Sequence, residues 1–543
     1  MIGIFGSAPG NLTGETWRGQ SGATVAATEW IRAVVASGCE ADGYELFDRH
    51  GLVPPGSEQS LIDLRQGTLL TPLSMLPEAL RHRRHRAYHC PYGAELSKAI
   101  PVVRRLCAEP TPVTAIQYTA GVPVAAREWM LTHLAGCRPY DCLICPSNAA
   151  LNAQSVLMEH ARERIARATG STADSISGPT LRRIPLGVDA VAFCPGEPGA
   201  AMALRRQLGI SDDAFVFLVT GRLTPASKAD LSVLIRAFRL VEEAYSRPLA
   251  LVVAGIDDSN YARGVELLIR EMGLGTSCTV LRNVPGYALP LVYQASNAFI
   301  APSDSIAETF GLTVLEAMAS GLPVIASDWD GFRDLVRSNH TGELVPTAWS
   351  VGALDDRLTE LEVDEGLEQF RLAQSVVVDR DAMARAMLGL AEHPQRAKQF
   401  GENARALVVR DYTWHSIARQ YHDLWDELCL LARACPSQEP LGDRLIPYER
   451  AFGAYATERV RLVDQLIVSR VDLATVPIQI TAAHIEAHGR VLRLDRLSAI
   501  VEKSRSPIRV STIGTDAESV RHVAWLLKHG YVQRITGSSS GEG

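Results

Sequence analysis

Two carboxylates eight positions apart, Glu308 and Glu316, flank a glycine turn, and two cations six positions apart, Arg222 and Lys228, lie upstream of them. Ser296 to Ala301 reads as a buried strand, and Gly311 to Ser320 as a helix stopped by Gly321. Glu308 is thereby expected in the loop above a strand, and Glu316 inside the helix. The backbone N–H groups of Phe310, Gly311, Leu312 and Thr313 would open that helix toward the same crevice. A helix N-terminus takes up phosphate, and open parallel sheets hold ligands at the C-terminal ends of their strands. The chemistry this suits is the binding of an anion with a polar sugar on each side. A blander assignment makes Glu308 a capping acid, Glu316 an exposed helix residue and the two cations part of a solvated loop.

The elements that must position these residues form two alternating series. Ile2–Phe5, Tyr44–Phe47, Ala87–His89, Val113–Gln117 and Cys142–Cys145 are strand candidates in the first series, with a helix over Ala23–Ser37. Phe215–Thr220, Leu249–Ala254, Thr279–Leu281, Ala298–Ala301, Val324–Ala326 and Glu343–Val345 are those of the second. Their short continuous apolar runs are typical of strands buried on both faces. Two such series joined by the Pro/Gly-rich stretch Cys194–Gly199 predict two doubly wound α/β domains facing each other. The expected organisation is a Rossmann-like domain over 1–195, a second Rossmann-like domain over 196–412, and a closing helix over 413–436 that crosses back. An extension follows over 437–536, mainly helical with the outline of a winged helix, and a Gly/Ser-rich tail over 537–543.

Composition narrows the class. At 543 residues the chain is long enough for about three domains. A hydrophobic fraction of 47% and a charged fraction of 21% are those of a globular protein. The net charge of −7 gives no overall pull toward nucleic acid or anionic lipid. Ten cysteines without regular spacing argue for a reduced setting, and the N-terminus lacks the charged and apolar regions of a signal peptide. A cytoplasmic location is the expectation. Cys142 and Cys145 form a C-x-x-C with no second pair, so neither zinc nor redox chemistry is expected there.

Four motifs together resemble the retaining glycosyltransferases of family 4, which have the GT-B fold. They are Glu308…Glu316 with Phe310-Gly311-Leu312 between; Thr220-Gly221-Arg222…Lys228; Ile184-Pro185-Leu186-Gly187-Val188-Asp189 with Phe193 after it; and Tyr412-Thr413-Trp414. The resemblance covers roughly residues 1–435, more closely in the second half. It implies transfer of a hexose-type sugar from a nucleotide diphosphate sugar with retention of configuration, and no cofactor. A UDP-sugar is the first donor, with GDP-, ADP- and TDP-sugars also open. The acceptor is a glycan, lipid carrier, small molecule or protein.

Physical roles follow for each residue. Arg222 and Lys228 would neutralise the diphosphate as the glycosidic bond breaks, the kind of electrostatic stabilisation that dominates many rate enhancements. With fixed cations there, and no clear Asp-x-Asp motif read in the core, metal independence is expected. Glu316 would bind the ribose hydroxyls, and Glu308 would face the transferred sugar. Gly221 and Gly255 are expected at strand ends beside the donor.

On the acceptor side the pattern departs from the family. Ser21 and Gly22 are the best candidates for the diphosphate loop at a helix N-terminus. Gln117 stands where the family carries a histidine, and His89 is a second candidate for the crevice. The basic run Arg81 to Arg86 suggests either a solvated helix end or a peripheral membrane contact. Charges in the extension are nearly balanced, so a protein partner or self-association is expected through 437–536 rather than nucleic acid. The alternative to an enzyme is a non-catalytic nucleotide-sugar-binding module coupled to that extension.

Overall fold

A computed structural model describes residues 1–5, 22–37, 43–48, 68–83, 85–119, 123–350, 365–435, 448–455, 460–468 and 492–535. The chain divides into two compact units, Met1–Leu441 and Gly442–Gly543.

The first unit holds two parallel sheets. One has seven strands: β1 Ile2–Phe5, β2 Tyr44–Asp48, β3 Thr68–Pro72, β4 Ala87–Cys90, β5 Val113–Ile116, β6 Cys142–Cys145 and β7 Thr180–Arg183, in the order β3-β2-β1-β4-β5-β6-β7. The other has six: β8 Phe215–Arg222, β9 Leu249–Ile256, β10 Cys278–Arg282, β11 Ala298–Ala301, β12 Val324–Ser327 and β13 Gly342–Val345, in the order β10-β9-β8-β11-β12-β13. Both orders reverse direction beside their first strand, the switch point at which such sheets open a crevice. Every expected strand is present. In these two sheets the unforeseen strands are β3 and β7, and both are edge strands. Their sequences carry polar residues and Pro72, because an edge strand is half solvated.

The helices are seated by apolar stripes. In Leu231–Ala244, the residues Leu231, Leu234, Ile235, Phe238 and Val241 are buried on one face, and Asp230 caps the first turn by accepting the Ser232 N–H. A small antiparallel pair, β14 Thr347–Trp349 with β15 Val376–Val378, follows the second sheet. The closing helix Trp414–Ala434 begins at the cap Thr413 and returns to the first sheet. There Trp425 Nε1 donates to Thr114 Oγ1 at 3.1 Å, His422 Nε2 lies 2.9 Å from the Tyr44 hydroxyl, and Asp426 pairs with Arg86. Val188 and Thr413 form a parallel bridge where the two connections between the sheets run side by side.

The second unit contains β16 Gln465–Val468, β17 Ile508–Arg509 and β18 Val532–Arg534 as an antiparallel sheet in the order β17-β16-β18. Helices Leu494–Lys503, Val510–Ile513 and Ala517–Lys528 pack on it around Leu466, Leu497, Val501, Val523 and Leu526. The sequence signals a helix over 490–503, a helix over 516–529 and a strand over 530–535. All three occur, slightly shortened. β16 and β17 carried no signal of their own, being short and bounded by polar residues.

Candidate active site

The C-terminal ends of β8, β9 and β11 open onto a cavity of about 420 Å³. Arg222 ends β8, and Lys228 lies on the loop between β8 and Leu231–Ala244. Glu308 lies on the loop after β11, and Glu316 on the second turn of Leu312–Ala319. All four line the cavity, with Gly221, Gly255 and the stretch Phe310 to Thr313. Tyr118 and Thr119 reach it from the loop after β5, Val25 from the helix Gly22–Ser37, and Gln369 from the helix Glu365–Gln374. No motif points to Tyr118, Thr119, Val25 or Gln369. They come from segments with no spacing relation to the motifs.

Backbone geometry explains two of the glycines. Gly255 pairs with Gly221 across β8 and β9, and a Cβ on Gly255 would stand 1.8 Å from the Gly221 carbonyl oxygen. Gly311 caps Leu312–Ala319 at φ 110°, a value that favours glycine, and a Cβ there would meet the Phe332 ring at 2.6 Å. Gly311 and the first residues of this helix line the cavity.

The charges are arranged in two linked sets. Lys228 Nζ donates to Glu308 Oε2 at 2.6 Å, so cation and carboxylate hold each other. Arg222 Nε is buried with no hydrogen-bond partner among the described residues. Glu316 accepts the Tyr293 hydroxyl at 2.7 Å, and that hydroxyl oxygen lies 2.7 Å from Thr220 Oγ1. Burial pushes the Glu316 carboxyl up to about 7, against the opposing pull of the Tyr293 hydrogen bond and the Lys228 charge. Asp330 is raised well above the carboxylate range, first by burial and then by Glu308. It sits at φ 39°, with its Oδ2 unpartnered among the described residues.

Three expectations need correction. His89 does not face the cavity. It is fully buried among Trp30, Tyr421 and Trp425, its Nδ1 lies 2.9 Å from Thr114 Oγ1, and burial lowers it to about 3. Gln117 lies just beyond β5, but its amide turns back to donate to the Thr119 carbonyl and does not line the cavity. An Asp-x-Asp spelling does occur, at Asp328-Trp329-Asp330. Asp328 is held by Arg333 and Asp330 by the Gly331 N–H, and among the described residues no three His, Cys, Asp or Glu side chains gather as metal ligands.

The remaining sequence candidates are quickly placed. Ser21 lies outside the described residues, and Gly22 begins the helix Gly22–Ser37. The run from Arg81 is not a free basic face: Arg83 pairs with buried Glu45, His85 is buried against the same carboxylate, and Arg86 pairs with Asp426. Cys142 and Cys145 are buried free thiols. Among the described residues no helix is long and apolar enough to cross a membrane.

Residues 202–375 match the family model described as glycosyl transferases group 1. That segment belongs to this family. The surrounding fold is GT-B: an Anabaena protein, HepE, crystallised with UDP and glucose superposes with a TM-score of 0.53 at 16% identity, over 79% of this chain and 100% of its own. Sucrose-phosphate synthase from Thermosynechococcus elongatus gives 0.53 at 21% identity, over 79% and 99%. Among curated relatives, the D-inositol 3-phosphate glycosyltransferase of Stackebrandtia nassauensis is 37% identical over 186 residues, 32% of this chain and 40% of that protein. Its counterpart from Actinosynnema mirum is 39% identical over 168 residues, 30% and 39%. The chain thus matches about two fifths of the length of these family relatives.

Proposed function

We propose that the protein is a retaining glycosyltransferase that draws on a nucleotide diphosphate sugar, with a UDP-sugar as the first donor to test. The observation that carries this is the convergence of Arg222, Lys228, Glu308, Glu316 and the amides of Phe310 to Thr313 on one cavity at the sheet's C-terminal edge. Donor size and chemistry agree with that lining. The helix amides and the two cations take the diphosphate. Glu316, steadied by Tyr293, accepts the ribose hydroxyls. Glu308 then faces the sugar.

In the reaction the bond between the anomeric carbon and the diphosphate oxygen breaks, and negative charge grows on the leaving group. Arg222 and Lys228 are placed to stabilise that growth without a resident metal or cofactor. The acceptor hydroxyl forms the new bond on the face the diphosphate left, and its proton goes to the departing diphosphate oxygen. Glu308 supports the oxocarbenium-like carbon between the two events. Complexes of the Anabaena neighbour with UDP support the choice of base, and the names of the curated relatives make an inositol phosphate the first acceptor to try.

The test is release of nucleoside diphosphate from a panel of UDP-, GDP-, ADP- and TDP-sugars, with and without inositol phosphates or a cell lysate. Acceptor-dependent release from one donor is expected, with product of retained configuration by NMR. Binding of donor without any acceptor-dependent release would leave only a nucleotide-sugar-binding module.

A further inference from the structure

We propose that Ser303, Asp304 and Ser305, three consecutive residues after β11, are positioning residues that hold Lys228 and Glu308 in register with each other. The inference rests on the cavity being a nucleotide-sugar site. All three are buried, although they are polar and lie in a loop. A polar side chain is costly to bury unless it is hydrogen-bonded, and each of these has an oxygen bonded to the same short segment, with Asp304 Oδ1 left without a partner among the described residues. The Ser303 hydroxyl donates to the Lys228 carbonyl at 2.9 Å, Asp304 Oδ2 accepts the Asp230 N–H at 3.2 Å, and the Ser305 hydroxyl donates to the Ala226 carbonyl at 3.3 Å. The loop that carries Lys228 is thus pinned before, at and after the lysine.

Ser305 also reaches the other way. Its hydroxyl accepts the Ala307 N–H at 3.1 Å, and its carbonyl accepts the Glu308 N–H at 3.4 Å. The same carbonyl receives Trp329 Nε1 at 3.0 Å, which ties the strap to the loop after β12. One residue therefore bonds both loops whose side chains meet in the 2.6 Å contact between Lys228 and Glu308. Neither Ser303 nor Asp304 makes a bond into the Glu308 loop beyond the weak Ser305 N–H to Ser303 Oγ approach at 3.5 Å. The strap thus has two ends. Ser303 and Asp304 set the cation that meets the diphosphate, and Ser305 sets the spacing between cation and carboxylate.

The experiment combines calorimetric binding of UDP with donor-consumption kinetics on the full chain. Ser303→Ala and Asp304→Ala are expected to weaken UDP binding by about tenfold, the scale of one or two lost hydrogen bonds to a binding loop. Asp304→Asn keeps an oxygen for the Asp230 N–H and is expected within about twofold of wild type. Ser305→Ala is expected to lower kcat by about tenfold with a smaller change in KM. Thermal midpoints near wild type exclude misfolding as the cause. The proposal is overturned if UDP affinity and kcat follow the loss of stability alone, if the Ser303 and Asp304 variants bind UDP like wild type, or if Asp304→Asn is as impaired as Asp304→Ala. A wild-type protein that binds UDP or another nucleoside diphosphate but shows no strap effect removes this inference alone. One that binds no nucleoside diphosphate removes the site assignment beneath it.

Discussion

In the second sheet Arg222, Lys228, Glu308 and Glu316 come from separate stretches of chain and share one cavity, whereas in the first sheet Glu45, His85, Arg104 and Asp141 pair off inside the protein. Asp141 is fully buried and accepts from Arg104, from the Val113 N–H at 3.0 Å and from the Arg138 N–H at 2.8 Å. Glu45 takes Thr71, Arg83 and His85 at once. Their carboxylates are filled by the protein, and of the two cation-bearing side chains only Arg104 Nε is left without a partner among the described residues. In the cavity, Arg222 Nε has none among the described residues, and Lys228 has only a carboxylate that a phosphate can replace. Buried charge alone therefore does not mark a site in this molecule; charged side chains gathered on the wall of one cavity do.

The contrast is broken most directly by exchanging the outcomes. Arg104→Ala leaves Asp141 buried and uncompensated and is expected to cost about 3–5 kcal/mol in urea unfolding, with UDP affinity of the folded fraction unchanged. Lys228→Ala is expected to do the reverse: turnover falls about 100- to 1,000-fold and the unfolding curve stays in place. If Arg104→Ala abolished nucleotide binding at full stability, the division between the sheets would be wrong.

Glu316 sharpens the comparison through pH. Its carboxyl is raised from an ordinary 4.5 to about 7 by burial. A raised acid contributes stability that is complete below pH 4.5 and is lost as pH climbs through 7. Between pH 5 and 8 the ligand-free wild type should therefore lose stability relative to Glu316→Gln, on the order of 2 kcal/mol. Parallel unfolding curves at the two pH values would remove Glu316 as the titrating group. The smallest effect belongs to Glu308→Gln. Freed of its carboxylate partner, Lys228 should bind UDP severalfold more tightly, about 1 kcal/mol for a partly exposed pair, and the gain should shrink as salt is raised. Equal affinity at low salt would show that the pair does not compete with the diphosphate.

Most of the donor half was legible because its signals are local. Continuous apolar runs mark strands buried on both faces, Gly311 and Gly321 punctuate a helix that carries Glu316, and Arg222, Lys228 and Glu308 sit at or beyond strand ends where the chain must turn. The first half was legible as a strand series but not as a site. His89 reads as a residue at a strand's end, and only the packing of Trp30, Tyr421 and Trp425 around it reveals that it points away from the crevice. Those three arrive from helices far apart in sequence, so no spacing records the enclosure. Gln117 failed for a smaller reason: its amide is satisfied two residues on, by the Thr119 carbonyl. Tyr293 was missed because it meets Glu316 only in space, 23 positions away in the chain.

Thr309 follows Glu308 directly, and both of its polar groups are engaged by the other sheet's loops. Its hydroxyl donates to the Tyr118 carbonyl, and its own carbonyl accepts the Ser147 hydroxyl at 2.7 Å. Two neutral hydrogen bonds exchanged for water are worth about 1 kcal/mol each. They add to the Asn148–Asp334 hydrogen bonds that join the same two halves. The peptide unit beside the carboxylate thus works as a clasp that fixes the register of Glu308 against the first sheet.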